Sequence, residues 1–143
     1  MLTLTNEMMR QIIMDHYSNP LHKHQPPKDG YFKTHMKSDN CIDDIDVFLL
    51  LENDIIVDAC FDGIGCTIST ASTDIMCELL IGKTKNDAFY IIEQYLHMIH
   101  EEKFDDSVLD EAIVFINTSK QASRIRCATI GWNAADTILK DIK

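Results

Sequence analysis

The stretch that most constrains this chain is Phe61-Asp62-Gly63-Ile64-Gly65-Cys66-Thr67-Ile68-Ser69, where a period-two apolar run ends at two glycines and a helical period begins. Ahead of it, Ile55, Val57, Ala59 and Phe61 alternate as in a strand. Behind it, Ile68, Ala71, Ile75 and Leu79 recur on one helical face until Gly82 supplies a stop. A strand that turns into a helix through Gly63 and Gly65 leaves the thiol of Cys66 uncrowded by neighbouring side chains. In the first turn of a helix, unpaired amides and the positive end of the dipole favour a thiolate over a thiol. A thiolate binds soft metal ions and attacks sulfur.

The other elements follow from the same periodicities. Ile45, Val47, Leu49 and Leu51 alternate with polar or flanking residues, and Asn53-Asp54 is a turn that pairs this run with the strand beginning at Ile55. Phe32, Thr34 and Met36 alternate with Lys33, His35 and Lys37, the pattern of a half-exposed edge strand. Thr5 is an N-cap with Glu7 in the first turn, and Met8, Ile12 and Met9, Ile13 recur at helical spacing until Asn19-Pro20. Residues 22–30 read as an irregular connector.

Beyond Gly82, Thr84 with Asp87 has the form of a capping box, ahead of an apolar face of Ala88, Ile92, Tyr95, Leu96 and Ile99. Ser107 with Asp110 repeats it for a shorter helix through Phe115 and Ile116, and Cys127, Ile130, Ala134 and Ile138 line a last helix. The expectation is one α+β domain over residues 1–143. It has a three-stranded antiparallel sheet with helices packed on one face, an N-terminal helix and a C-terminal helical half.

Thirteen basic against twenty-three acidic residues give a net charge of −10, which disfavours nucleic acid and anionic membrane surfaces as partners. The first residues lack a basic segment followed by an apolar block, and no apolar run has membrane-spanning length, so a soluble cytoplasmic protein is expected. The five cysteines are odd in number and scattered, which points to reduced thiols rather than a disulfide framework.

Cys41-Ile42-Asp43 lies between the first two strands, Cys66 follows the third, and Cys127 opens the last helix, so three thiols and a carboxylate can meet at one end of the sheet. Zinc takes four such ligands tetrahedrally, and Asp39-Asn40 makes the bend that Cys41 and Asp43 need to reach one ion. The spacing is not that of paired Cys-x-x-Cys knuckles, and an isolated free cysteine is more often a small packed hydrophobe. Cys60 and Cys77 are read that way. His22-x-His24, with His16 nearby, is a weaker second metal candidate, set against a solvated polar loop. His97 and His100 read as an exposed helical face.

On these positions the chain resembles the SufU branch of the IscU/NifU-type iron–sulfur cluster assembly proteins over nearly its whole length. Met14-Asp15-His16-Tyr17-Ser18-Asn19-Pro20 is similar to the end of the family's first helix, and Phe61-x-Gly63-x-Gly65-Cys66-x-Ile68-Ser69-x-Ala71-Ser72 to its central motif. Ser123-Arg124-Ile125-Arg126-Cys127-Ala128-Thr129-Ile130-Gly131-Trp132 resembles the SufU form of the third motif, in which an Arg-Ile-basic-Cys run replaces Lys-x-His-Cys. The long segment between Cys66 and Cys127 and the absence of Leu-Pro-Pro-Val-Lys are also SufU-like. One departure is Ile42, where the family has glycine. A β-branched residue is disfavoured at positive φ, so this loop either stays in the β region or differs from the family's geometry.

The resemblance implies zinc held by Cys41, Asp43, Cys66 and Cys127, with Arg124 beside the site to favour an anionic persulfide. It implies a zinc-dependent sulfurtransferase acting with a SufS-type cysteine desulfurase, whose histidine displaces Cys41 from the metal. The freed Cys41 thiolate then takes the persulfide sulfur and passes it to a downstream iron–sulfur scaffold or apo-protein acceptor. The alternatives are a scaffold on which a transient [2Fe–2S] cluster is assembled and transferred, and a purely structural zinc. For Arg124 the alternative is a surface arginine answering nearby carboxylates.

Overall fold

The computed structural model describes residues 4–39 and 42–142. In chain order its elements are α1 (Asn6–Ser18), β1 (Phe32–Lys37), β2 (Asp44–Glu52), β3 (Ile55–Ile64), α2 (Thr67–Leu80) and α3 (Lys85–Ile99). Two 3₁₀ segments (Asp106–Val108 and Asp110–Lys120) then lead into α4 (Ala122–Asp141). The strands form one antiparallel sheet in the order β1-β2-β3. Helix α2 packs against β3, and α4 against β1 and β2. This is the expected α+β architecture.

The caps fall where short polar side chains can reach free amides. Thr5 Oγ1 accepts from the Met8 amide and Thr84 Oγ1 from the Asp87 amide, each at 3.1 Å. At the β2–β3 hairpin, Asn53 and Asp54 both take left-handed φ, 54° and 65°, which their short polar side chains tolerate better than most.

Two expectations are corrected. Ile55, Val57, Ala59 and Phe61 do not share one face of β3: Ile56, Ala59 and Phe61 are buried, whereas Ile55 and Val57 are 38% and 37% exposed. The register shifts between Leu50 and Leu51, so that Leu50 faces Asp58 while Leu51 faces Ile56. Val57 is the extra residue, and the bulge reverses the alternation. Nor does Ser107 cap an α-helix. The Asp105 carboxylate accepts from the Ser107 amide at 3.0 Å and from its hydroxyl at 2.6 Å, a local turn that competes with helix entry. From Asp110, at φ 47°, the chain continues as 3₁₀ while still burying Ala112 and Phe115.

At the centre, Trp132 of α4 stacks on Tyr95 of α3 with centroids 3.8 Å apart, and Phe115 meets Tyr95 edge-on. These rings carry polar tips, and burial makes partners obligatory. Trp132 Nε1 donates to Ser72 Oγ at 2.9 Å, and the hydroxyls of Ser72 and Tyr95 each donate to the Ala128 carbonyl at 2.7 Å. Burial pushes the Tyr95 phenol well above its ordinary range. Helices α2 and α4 cross closely at Gly131, where a Cβ would lie 2.3 Å from Thr73 Oγ1. That hydroxyl is itself fixed by donation to the Ser69 carbonyl at 2.7 Å. The network and the crossing set α4 in depth and height against α2.

Candidate metal centre

The turn into α2 is built by its two glycines in different ways. Gly63 has φ +124°, and a Cβ there would sit 2.3 Å from the Asp44 carbonyl. At Gly65 a Cβ would meet Ser69 Oγ at 2.6 Å, so this glycine lets the turn lie against the start of α2. The connector also helps. The His24 amide donates to the Phe61 carbonyl at 2.8 Å and the Phe61 amide to the His22 carbonyl at 3.0 Å, pinning residues 22–24 along β3 just before the glycines.

Cys66 opens α2, as its position after the glycines predicts, and does so as the N-cap rather than within the first turn. Its extended backbone (φ −72°, ψ 176°) lets Sγ accept from the Ser69 amide at 3.4 Å. The same turn captures a carboxylate from β2's approach. Asp43 is wholly buried, and its Oδ1 accepts from the Cys66 amide at 2.9 Å and from Ser69 Oγ at 2.8 Å. Cys127, near the start of α4, is 4% exposed and is brought up by the crossing at Gly131.

One ligand atom from each of Asp43, Cys66 and Cys127 lies within 4.8 Å of the others, and this is the only such group among the described residues. Tetrahedral zinc would set ligand separations of about 3.3–3.8 Å. Two sulfurs and a carboxylate oxygen are donors that zinc and iron–sulfur clusters both accept. The donor set and its spacing therefore fit a small thiophilic metal with small movements. The Cys41 ligand expectation lies outside the described residues. Arg124 is exposed, one turn before Cys127 on α4. Ile42 is 63% exposed beside Asp43.

The remaining thiols and histidines behave otherwise. Cys60 is buried, and desolvation, aided by Asp58 and Asp62, pushes its thiol up to about 11. Cys77 is wholly buried and pushed well above its ordinary value, mainly by desolvation. Both stay protonated packing residues. His22 and His24 form no metal group among the described residues. His22 Nε2 pairs with Glu78 at 2.6 Å, and His24 Nδ1 bonds the Gln25 carbonyl at 2.9 Å. His97 is half-buried and His100 exposed.

Sequence reasoning missed a separate polar joint. Asp74, wholly buried on α2, accepts from the His22 amide at 2.8 Å and meets His16 Nδ1 at 2.6 Å, while His16 Nε2 meets Glu111 at 3.0 Å. Burial works against protonation of His16, but its bonds to Asp74 and Glu111 outweigh that and leave its pKa raised. An aspartate amid the apolar residues of α2 was the available signal, since a buried carboxylate must find donors.

This assembly, a thiol-and-carboxylate group at the strand-to-helix turn of an α+β fold, defines a class. Residues 8–135 match the NifU-like N terminal domain, and the chain belongs to that family of iron–sulfur cluster assembly proteins. It is similar to the zinc-dependent sulfurtransferase SufU of Bacillus subtilis (strain 168), with 35% identity over 130 residues, 90% of this chain and 87% of that protein. It is also similar to the iron-sulfur cluster assembly scaffold protein IscU of Streptococcus pyogenes serotype M1, with 32% identity over 140 residues, 97% of this chain and 87% of that one. Among solved structures, FiSufU of Fervidobacterium Islandicum AW-1 superposes with a TM-score of 0.85 at 30% identity, covering 90% of this chain and 94% of that one. No helix among the described residues is long and apolar enough to cross a membrane.

Proposed function

We propose that this chain is a zinc-dependent sulfur acceptor that takes persulfide sulfur from a SufS-type cysteine desulfurase for iron–sulfur cluster assembly. The observation that carries this reading is the convergence of Asp43, Cys66 and Cys127 within 4.8 Å, on a chain similar to a zinc-dependent sulfurtransferase. Asp43, Cys66, Cys127 and Cys41 are the proposed ligands. A metal held there keeps its thiol ligands deprotonated and restrains them until one is released.

The chain's own residues prepare this. The Cys66 amide and Ser69 hydroxyl orient the Asp43 carboxylate, and the Ser69 amide steadies the Cys66 sulfur. In the transfer step the Cys41 thiolate attacks the terminal sulfur of the partner's Cys–S–SH. A new S–S bond forms at Cys41 as the old one breaks, its electron pair leaving on the partner's thiolate, and the sulfur arrives with its proton. No external oxidant is required. Arg124 offers a cation to the resulting persulfide. We place this activity in the cytoplasm, where reduced thiols persist.

Protein purified without added metal should be colourless with near-stoichiometric zinc, lost in Cys66→Ser and Cys127→Ser. It should also stimulate desulfurase turnover, and Cys41→Ala should not. A Cys41→Ala variant as stimulatory as wild type would refute the acceptor role. A second reading is favoured by the similarity to IscU of Streptococcus pyogenes: a scaffold for a transient [2Fe–2S] cluster on the same cysteines. Iron with charge-transfer absorption after anaerobic reconstitution, transferable to an apo-protein, would select it.

A further inference from the structure

At the end of α2 away from the thiols lies an open groove of about 1310 Å³, walled by α1, α3 and the 3₁₀ segments. Its floor is apolar, with Leu79, Ile91, Phe104 and Ile113, and α1 contributes Met9 and Ile12. Its rim is acidic: Asp87, Asp106, Asp110 and Glu111 stand against one lining cation, Lys83. Glu111 is engaged by His16, which leaves three aspartates facing outward. At the mouth, Tyr90 and Ile116 are 45% and 37% exposed. Small-molecule pockets span roughly 300–1,000 Å³. This groove exceeds that and has the volume of about three turns of a helix of about 10 Å diameter.

Two of its walls differ from the close-packed helices of the core. No residue of α1 is fully buried. The adjoining wall is an 11-residue 3₁₀ run, whereas 3₁₀ runs longer than 3–4 residues are uncommon. An acidic rim over an apolar floor repels a second copy of a chain carrying −10 and repels anionic lipid, but complements a cationic amphipathic helix.

We propose that this groove docks an amphipathic helix of a partner protein, with its apolar stripe on Leu79, Ile91 and Ile113 and its Lys or Arg side chains on Asp87, Asp106 and Asp110. Helix α2 has 14 residues, so the groove stands about 20 Å from Cys66. A helix bound there leaves the thiol site open. The partner can therefore be held while sulfur or metal chemistry proceeds at the other end, and the inference stands whichever function the thiols serve.

The probe is a fluorescein-labelled 14-residue peptide with leucines on one helical stripe and lysines elsewhere, titrated with full-length protein by fluorescence anisotropy. Amide shifts locate the contact. Binding should shift Leu79, Ile91 and Ile113, weaken at least tenfold in Asp87→Lys/Asp106→Lys, and stay within twofold in Asp29→Lys/Glu52→Lys, an equal change of net charge elsewhere. Equal weakening in both variants would reduce the effect to diffuse attraction and overturn the proposal. So would equal binding of a glutamate-for-lysine peptide. Concentration-dependent dimerisation that protects the groove amides from exchange would give the face to a second copy, and also overturn it.

Discussion

Helix α4 meets α2 through a close-packed contact, in which Gly131 admits the Thr73 side chain and buried Ser72 and Tyr95, with Trp132 donating to Ser72, fix the Ala128 carbonyl. Helix α1, by contrast, meets the same helix with no fully buried residue of its own and through the pair His16–Asp74, while His16 also pairs with Glu111 of the second 3₁₀ segment. The first contact places Cys127 against Cys66 and Asp43. The second forms one wall of the groove. Close packing tolerates little adjustment, whereas an ionic joint at a half-buried surface responds to pH and can slide. Where Cys127 is brought to Cys66 and Asp43 the contact is one of shape. Where α1 meets α2 it is one of charge.

The largest effect should come from spoiling the shape-based contact. Gly131→Val drives a branched side chain into Thr73, whose Oγ1 and Cβ are 2.3 Å and 2.9 Å from the position of even a first carbon. Overpacking of this severity costs about 3 kcal/mol, and thermal melting should fall by roughly 10 °C. Metal retention should fall with it, because Cys127 moves with α4. Replacing Thr73 by Ala in the same chain should restore part of both, and full additivity of the two changes would mean that they do not meet.

His16→Ala is the matching insult to α1. It leaves the wholly buried Asp74 carboxylate with the His22 amide but without its imidazole partner. An uncompensated buried acceptor of this kind costs about 2 kcal/mol, which denaturant unfolding would measure. Metal content should stay at the wild-type level, since neither His16 nor Asp74 belongs to the group formed by Asp43, Cys66 and Cys127. Loss of metal here would erase the contrast between the two regions.

The contrast also accounts for what the sequence disclosed. Cys66 at the opening of α2 was legible because glycines, cysteine and a change of period are all local signals, whereas its place as the N-cap itself came from the structure. The convergence of Cys66 with Asp43 and Cys127 was legible as a topological consequence of loops meeting at one end of the sheet. The bulge at Val57 was not, because an extra residue leaves the alternation of Ile55, Val57 and Ala59 looking regular while the pairing with β2 shifts. The 3₁₀ run was misread because Ser107 and Asp110 carry a capping signature that Asp105 pre-empts. The His16 joint left only Asp74 on α2 as a signal, and its pairing was not legible: Asp74 and Glu111 lie 58 and 95 residues from His16, and no short-range pattern joins them.

The smallest effect, and the sharpest test of the contrast, is pH dependence. The pKa of His16 is raised above its ordinary value of 6.5, since Asp74 and Glu111 outweigh the opposing effect of burial. A group whose folded-state pKa lies above its unfolded value binds its proton more tightly in the folded state. Its contribution to stability is therefore complete below pH 6.5 and is lost as pH rises through the folded-state pKa. His16→Gln keeps a donor towards Asp74 but cannot titrate. The stability gap between wild type and this variant should narrow from pH 5.5 to pH 8.5 in urea unfolding, while the gap for Gly131→Val stays flat across the same range. If the gap for His16→Gln widened with pH, His16 would be neutral in the folded state and the joint to α1 would rest on hydrogen bonds rather than charge.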